Sequence, residues 1–164
     1  MTLLKVLHFP DIRLKNVGAI VTDFGADLQT LIEDMFETME HENGVGLAAT
    51  QVGIALQLAV IDSYDDVSQP MVIVNPEVSE MSNFTLKEEG CLSVPGHYDK
   101  VQRALRLKLK AQDRHGKHFE IIAEERLAHI IQHETDHLNG KLYIDYLSPL
   151  KRSRIRDKLV KSEK

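Results

Sequence analysis

Residues 124–140 read EERLAHIIQHETDHLNG. Leu127, Ile130, Ile131 and Leu138 recur at helical spacing and Gly140 supplies a stop, so the stretch predicts a helix from about Glu124 to Asn139. His133 and His137 then stand one above the other, where both rings can reach a single metal ion, and the Glu134 between them suits a general base. On a wheel of about 100° per residue with Leu127 at 0°, Leu138 falls near 20°, Ile131 near 40° and Glu134 near 340°, inside the apolar stripe. The two histidines flank that stripe at about 240° and 280°. Gln132, Thr135, Asp136, Asn139 and Glu125 take the opposite arc and are expected to face outward. A carboxylate aimed into an apolar stripe costs several kcal/mol unless it meets a cation or holds a proton. The helix is therefore expected at the centre of the molecule, and its chemistry is expected to be that of a metal.

Working outward, LRLKLKA (105–111) alternates as a half-buried strand, DRHGK makes a turn, and HFEIIA (118–123) pairs back as a hairpin. LQLAVID (56–62) and MVIVN (71–75) are further strands, the second expected to close at Pro76. Asp23 to Asn43 carries the stripe Leu28, Leu31, Ile32, Met35 and Met39 of a second helix, while GVGLAATQVG (44–53) holds too much glycine for one. Ser148-Pro149 offers an N-cap and first-turn proline for a last, basic helix. Strands flanked by helices without regular alternation favour an α+β fold. The expectation is a single compact domain over residues 1–164, with antiparallel or mixed sheets around the central HExxH helix and a basic C-terminal helix at 148–164.

Composition narrows the function classes. A chain of 164 residues with 43% hydrophobic and 27% charged residues is that of an ordinary globular protein, not a disordered or fibrous one. No run approaches the roughly 20 apolar residues of a membrane helix, and the N-terminus lacks a secretory pattern, so no membrane partner and a cytoplasmic location are expected. The lone cysteine, Cys91, excludes an intrachain disulfide. A net charge of −5 argues against DNA as a partner, although seven Lys or Arg face only two acids from Ser148 onward.

Two histidines need a third ligand. The HExxHxxGxxH pattern is met at Gly140 but fails at Tyr143, and a downstream glutamate ligand is not supplied by the acids of the basic last helix, Asp157 and Glu163. Cys91, in the turn-like segment EEGCLSVP (88–95), fills the gap, and a thiolate with two imidazoles leaves a fourth position for water, the mark of a catalytic site. Taken alone, Cys91 also fits a buried small hydrophobe, or a nucleophile, which would leave the histidine spacing without a purpose.

GVGLAATQ (44–51), EGCLS (89–93) and HETDH (133–137) resemble, in order and spacing, the three motifs of the peptide deformylases. The likeness extends to Phe9-Pro10-Asp11, Leu14, MFETM (35–39) and DYLSPL (145–150), and so covers nearly the whole chain. The resemblance implies removal of the formyl group from the N-terminal formyl-methionine of newly made polypeptides, with release of formate. It implies Cys91, His133 and His137 as metal ligands, with water as the fourth, and Glu134 as the group that takes a proton and passes it to the departing amine. Gln51 and the Leu92 backbone N–H would stabilise the oxyanion, and Val45, Gly46, Gly90, Arg126 and His129 would bind substrate. It implies Fe2+ in the cell, replaceable by Zn2+, Ni2+ or Co2+, and docking of the basic C-terminal helix on the ribosome. Four positions depart from the family pattern: Glu125 and Arg126 stand where Gly and a large apolar residue are usual, Lys87 where an apolar residue is common, and Tyr98 where Arg is frequent. Either the long stems line the methionine pocket with their methylenes or the side-chain preference differs. An HExxH protease and a non-enzymatic metal-binding or ribosome-associated module are the competing readings.

Overall fold

In the computed structural model, which describes residues 2–63 and 69–163, five strands form one fully antiparallel sheet among the described residues. They are β1 (Gly46–Ala48), β2 (Leu58–Ile61), β3 (Met71–Cys91), β4 (Val94–Gln112) and β5 (His118–Glu124), paired in chain order. The helices are α1 (Ala26–His41), α2 (Glu125–Leu138) and α3 (Pro149–Ser162). Met1 and Lys164, the end residues of the expected domain, lie outside the described residues.

Strand alternation divides the core. Ala59, Ile61 and Ile73, with Leu107 and Leu109, pack on one face against Ala128, Ile131 and Leu138 of α2. Leu58, Val60 and Val74 pack on the other face against Ile32, Met35 and Met39 of α1. A third cluster joins Leu7 and Leu14 to Val94, Tyr143, Ile144 and the two buried residues of α3, Ile155 and Leu159. Ser148 caps α3 by accepting from the Lys151 N–H, with Pro149 in its first turn, as the sequence predicts.

Three expectations are corrected. Pro76 does not end its strand: β3 shifts register between Val74 and Glu77, and this bulge leaves the proline without a ladder bond to donate, so the strand runs on to Cys91. The segment before Cys91 is therefore strand, with the turn confined to Leu92 and Ser93. The polar arc of α2 does not face water throughout. Gln132 is buried, accepting from the Ala104 N–H at 3.0 Å and donating to the Ala104 and Ala128 carbonyls, and Asp136 is held at 2.7 Å by Arg103. The long β4 wraps the helix, and its backbone supplies polar partners that a helical wheel cannot show.

Candidate metal centre

Cys91 closes β3, and His133 and His137 rise from α2, whose inner face lies on the sheet. Beside the turn Gly90 faces Tyr98 and Cys91 faces Val94, so the extra residues lie on β4, and β3 keeps the alternation that turns the Cys91 thiol to the helix. The Cys91 Sγ lies 3.2 Å from His137 Nε2, which lies 3.0 Å from His133 Nε2, and the three donor atoms all fall within 4.8 Å of one another. The two rings meet edge-on, with centroids 4.7 Å apart.

Burial sets the electrostatics here. His137 is 1% exposed and held well below its usual pKa by burial first and by the charge of His133 second. For His133 burial also opposes charge, but Glu134 and Cys91 outweigh it and hold the ring well above the usual imidazole range. Two ring nitrogens and a sulfur converging in a buried space need a positive charge among them. A divalent ion would displace the proton and take its place. The donor set, soft thiolate with imidazole, fits a first-row transition metal.

Glu134 is 3% exposed, and burial, the largest cause, raises its pKa to about 7. Its Oε1 is buried without a protein partner. A Cβ on Gly46 would lie 2.9 Å from the Glu134 Cδ, so the backbone of β1 comes up to the carboxyl because residue 46 is glycine. Gln51, in the short 3-10 turn Ala49–Val52, is 1% exposed. Its Oε1 accepts from the Ala48 N–H, and its Nε2 donates to Ser93 Oγ at 3.1 Å and Cys91 Sγ at 3.6 Å. Thr50 donates to the His137 carbonyl at 2.9 Å, fixing this turn to the end of α2.

These groups open on a cleft of about 680 Å³ lined by Gln51, Cys91, Leu92, His133 and Glu134, and by Val45, Gly46, Gly90, Arg126 and His129. All the expected site residues except the fully enclosed His137 thus line one cavity. Of the departing positions, Tyr98 also lines it, its ring lying on Gly90, whereas Lys87 is not among the lining residues. Glu125 begins α2 with φ +53°, a left-handed conformation that suits the glycine usual at this place.

Sequence reasoning missed the support behind the candidate ligands. Glu89 is 5% exposed and receives two bonds from Arg103 at 2.9 and 2.8 Å, one from His129 and one from His133 Nδ1 at 2.5 Å. Burial alone would raise its pKa, but these donors hold the carboxyl well below its ordinary range. Arg103 also holds Asp136, which accepts from the Tyr146 hydroxyl. The signal available was the position of Glu89, two residues before Cys91 and so on the same face of a strand.

Comparison with known proteins gives a concordant result. The sequence profile described as polypeptide deformylase matches residues 3–153. Peptide deformylase 1 of Shewanella oneidensis is 56% identical over 164 residues, covering 100% of this chain and 98% of its own. A crystal structure of a peptide deformylase from Legionella pneumophila superposes with a TM-score of 0.94 at 52% identity, over 99% of this chain and 96% of that one. One from Ehrlichia chaffeensis, in complex with actinonin, gives 0.95 at 36% identity, over 100% and 99%.

Proposed function

The chain belongs to the polypeptide deformylase family, whose members are metalloenzymes that hydrolyse the formyl amide of N-terminal formyl-methionine, and we propose how its residues divide that work. Cys91, His133 and His137 hold one divalent ion. The observation that carries this is their convergence within 4.8 Å beside a buried carboxyl. A divalent ion there supplies Lewis acidity, which brings the pKa of water close to neutrality.

Glu134 accepts the proton as water attacks the formyl carbon and returns it to the amine nitrogen as the C–N bond breaks. Burial raises its pKa from the ordinary carboxylate range toward neutrality, which suits both directions of transfer. The Gln51 amide and the Leu92 N–H donate to the oxyanion, and each such donor is worth about 2.7–4 kcal/mol in comparable acyl-transfer sites. Glutamine does not titrate, so it stays a donor throughout. Gly46 gives the formyl group and Glu134 room on the same side. Val45, Gly90 and His129 with the Arg126 stem form the wall for the methionine side chain.

The resident ion is Fe2+, with Zn2+, Ni2+ and Co2+ as chemically acceptable substitutes. The half-buried Cys91 leaves such a centre open to oxidation. The site of action is the cytoplasm, where nascent chains are met; no helix among the described residues is long and apolar enough to cross a membrane. Helix α3 docks on the ribosome: Ile155 and Leu159 anchor it to the body while Arg154, Arg156 and Lys158 are exposed to meet phosphates.

Anaerobic purification, metal analysis and formate release from formyl-Met-Ala-Ser test the catalytic assignment. Cys91→Ser should lower both bound metal and turnover; a Cys91→Ser protein that keeps both would overturn the ligand set. Changing Arg154, Arg156 and Lys158 to Gln should weaken salt-sensitive ribosome pelleting and leave tripeptide turnover unchanged. Unaltered pelleting would refute the docking.

A further inference from the structure

His129 belongs to the wall of the cleft, but its polar end is turned elsewhere. Its Nε2 sits 2.6 Å from Glu89 Oε1, behind the donor triad, and its side chain is only 20% exposed. Glu89 thereby receives four donors. Arg103 Nε and His129 share Oε1, and the Arg103 Nη2 and His133 Nδ1 share Oε2. The carboxylate lies on β3, Arg103 on β4, and both histidines one turn apart on α2. Arg103 alone sets the plane of the carboxylate through its two-pronged grip. The ring of His129 adds a contact from the helix, so that Glu89 is clamped between two successive turns of α2.

We infer that His129 is a positioning residue of the metal centre: by donating to Glu89 Oε1 it holds Oε2 against His133 Nδ1, which keeps the His133 Nε2 lone pair directed at Cys91 and His137. The hydrogen bond from Nδ1 fixes the tautomer of His133, and a carboxylate that rocked about its Cβ–Cγ axis would release that ring. Substituents on the cleft side of His129 reach the substrate wall, while its Nε2 reaches the metal's supporting shell. One residue therefore serves two neighbours. The inference rests on the ligand set proposed above, and its readout is metal retention, which stays measurable whatever substrate the enzyme prefers.

The test compares His129→Leu, which keeps volume and removes the donor, with His129→Gln, whose side-chain amide can reach the same oxygen. Co2+-loaded protein is challenged with an excess of chelator, and metal release is followed by absorbance alongside kcat and KM on formyl-Met-Ala-Ser. His129→Leu should release Co2+ about 10-fold faster, the lower end of effects from such supporting contacts because three other donors to Glu89 remain. Its loss should fall on kcat, and His129→Gln should recover most of both. Unchanged release with a raised KM would make His129 a pocket wall only and overturn the assignment. Equal loss in the Leu and Gln variants would also overturn it. A protein whose release behaves as expected but which liberates no formate would instead refute the proposed reaction and leave the positioning role standing.

Discussion

Gly46→Ala should damage catalysis through Glu134 without touching a metal ligand. The added Cβ would stand 2.9 Å from Glu134 Cδ and 3.1 Å from Cγ, with Oε2 nearer still. Ordinary carbon contact begins at about 3.5 Å, so the carboxyl group must retreat by roughly half an ångström. The strand cannot give instead: Gly46 pairs with Ile61, and neighbouring Leu47 and Ala48 are fully buried between the two helices. Proton transfer needs its partners within about 2.6–3.2 Å, a window that such a retreat nearly spans. Misplacement of about 1 Å costs around 100-fold, so kcat should fall by about 10- to 100-fold, or about 1.4–2.7 kcal/mol of barrier. The formate-release assay reads this directly, with metal content measured beside it. Glu134→Ala removes the proton carrier and should cost about 10²–10⁴-fold, and it also vacates the space that the new methyl needs. Adding Gly46→Ala to Glu134→Ala should therefore cost less than about 3-fold further, the non-additivity expected of touching groups. A single Gly46→Ala variant with kcat within threefold of the parent, or one that has lost its metal, would refute the reasoning.

Glu89→Gln should lower stability by about 3–5 kcal/mol, because it leaves the buried Arg103 with Asp136 as its remaining carboxylate partner. Glu89 has a folded pKa held below its unfolded value of about 4.5, so its stabilising charge is fully present above that pH and is lost as pH falls through the folded value. The deficit of the variant in denaturant titrations should accordingly shrink below pH 4.5; a deficit constant with pH would count against the charge as its origin. Glu134 must be ionised to accept a proton, and a bound cation draws its pKa below the value of about 7 that burial imposes, so kcat/KM should show an acid limb below neutrality. A profile flat from pH 5 to 8 would remove Glu134 from the role of base. Glu125→Gly relieves the φ of +53°. It should raise stability by about 0.5–1 kcal/mol, the left-handed penalty less the entropy that glycine adds. A lowered denaturation midpoint would show that the side chain of Glu125 does more than tolerate its backbone.

What the sequence made legible were the segments with a clean period. The 105–111 and 118–123 hairpin shows alternation, and α1 and α2 show helical stripes, because in each case one face is buried against one neighbour. The extension of β3 from Glu77 to Gly90 shows nothing of the kind, since most of that ribbon is exposed and is held by pairing with β4 rather than by burial. In its stretch SEMSNFTLKE (79–88) the apolar residues Met81, Phe84 and Leu86 are exposed and keep no strict alternation, so no strand period can be read. The site divides the same way. His133, Glu134 and His137 follow from helical spacing, and Cys91 from what the pair lacked. The bond from Gln132 to Ala104 and that from Arg103 to Glu89 depend on the register of a 19-residue strand, which no local pattern in the chain specifies.

That register explains why a strand end and a helix can build this centre together. Residues two apart on a strand are separated by about 6.7 Å, and residues four apart on a helix by about 6 Å along its axis. Glu89 and Cys91 on β3 therefore match His133 and His137 on α2 as two rungs of one ladder: Glu89 Oε2 meets His133 at 2.5 Å and Cys91 Sγ meets His137 at 3.2 Å. Gly90, between the rungs, faces the other way and lets Tyr98 lie on the strand. His129 stands one further step back along the helix and reaches the same Glu89, so the ladder is braced at its lower rung as well as across it. Both rungs depend on a single register between strand and helix. A slip of one residue in β3 would turn Glu89 and Cys91 away together, removing the proposed ligand and the carboxylate bonded to its neighbour in the same event. The grip of Arg103 on both Glu89 of the strand and Asp136 of the helix holds that register. The proposed metal chemistry thus rests on the matched periods of the two elements, and the polar network is what keeps them in phase.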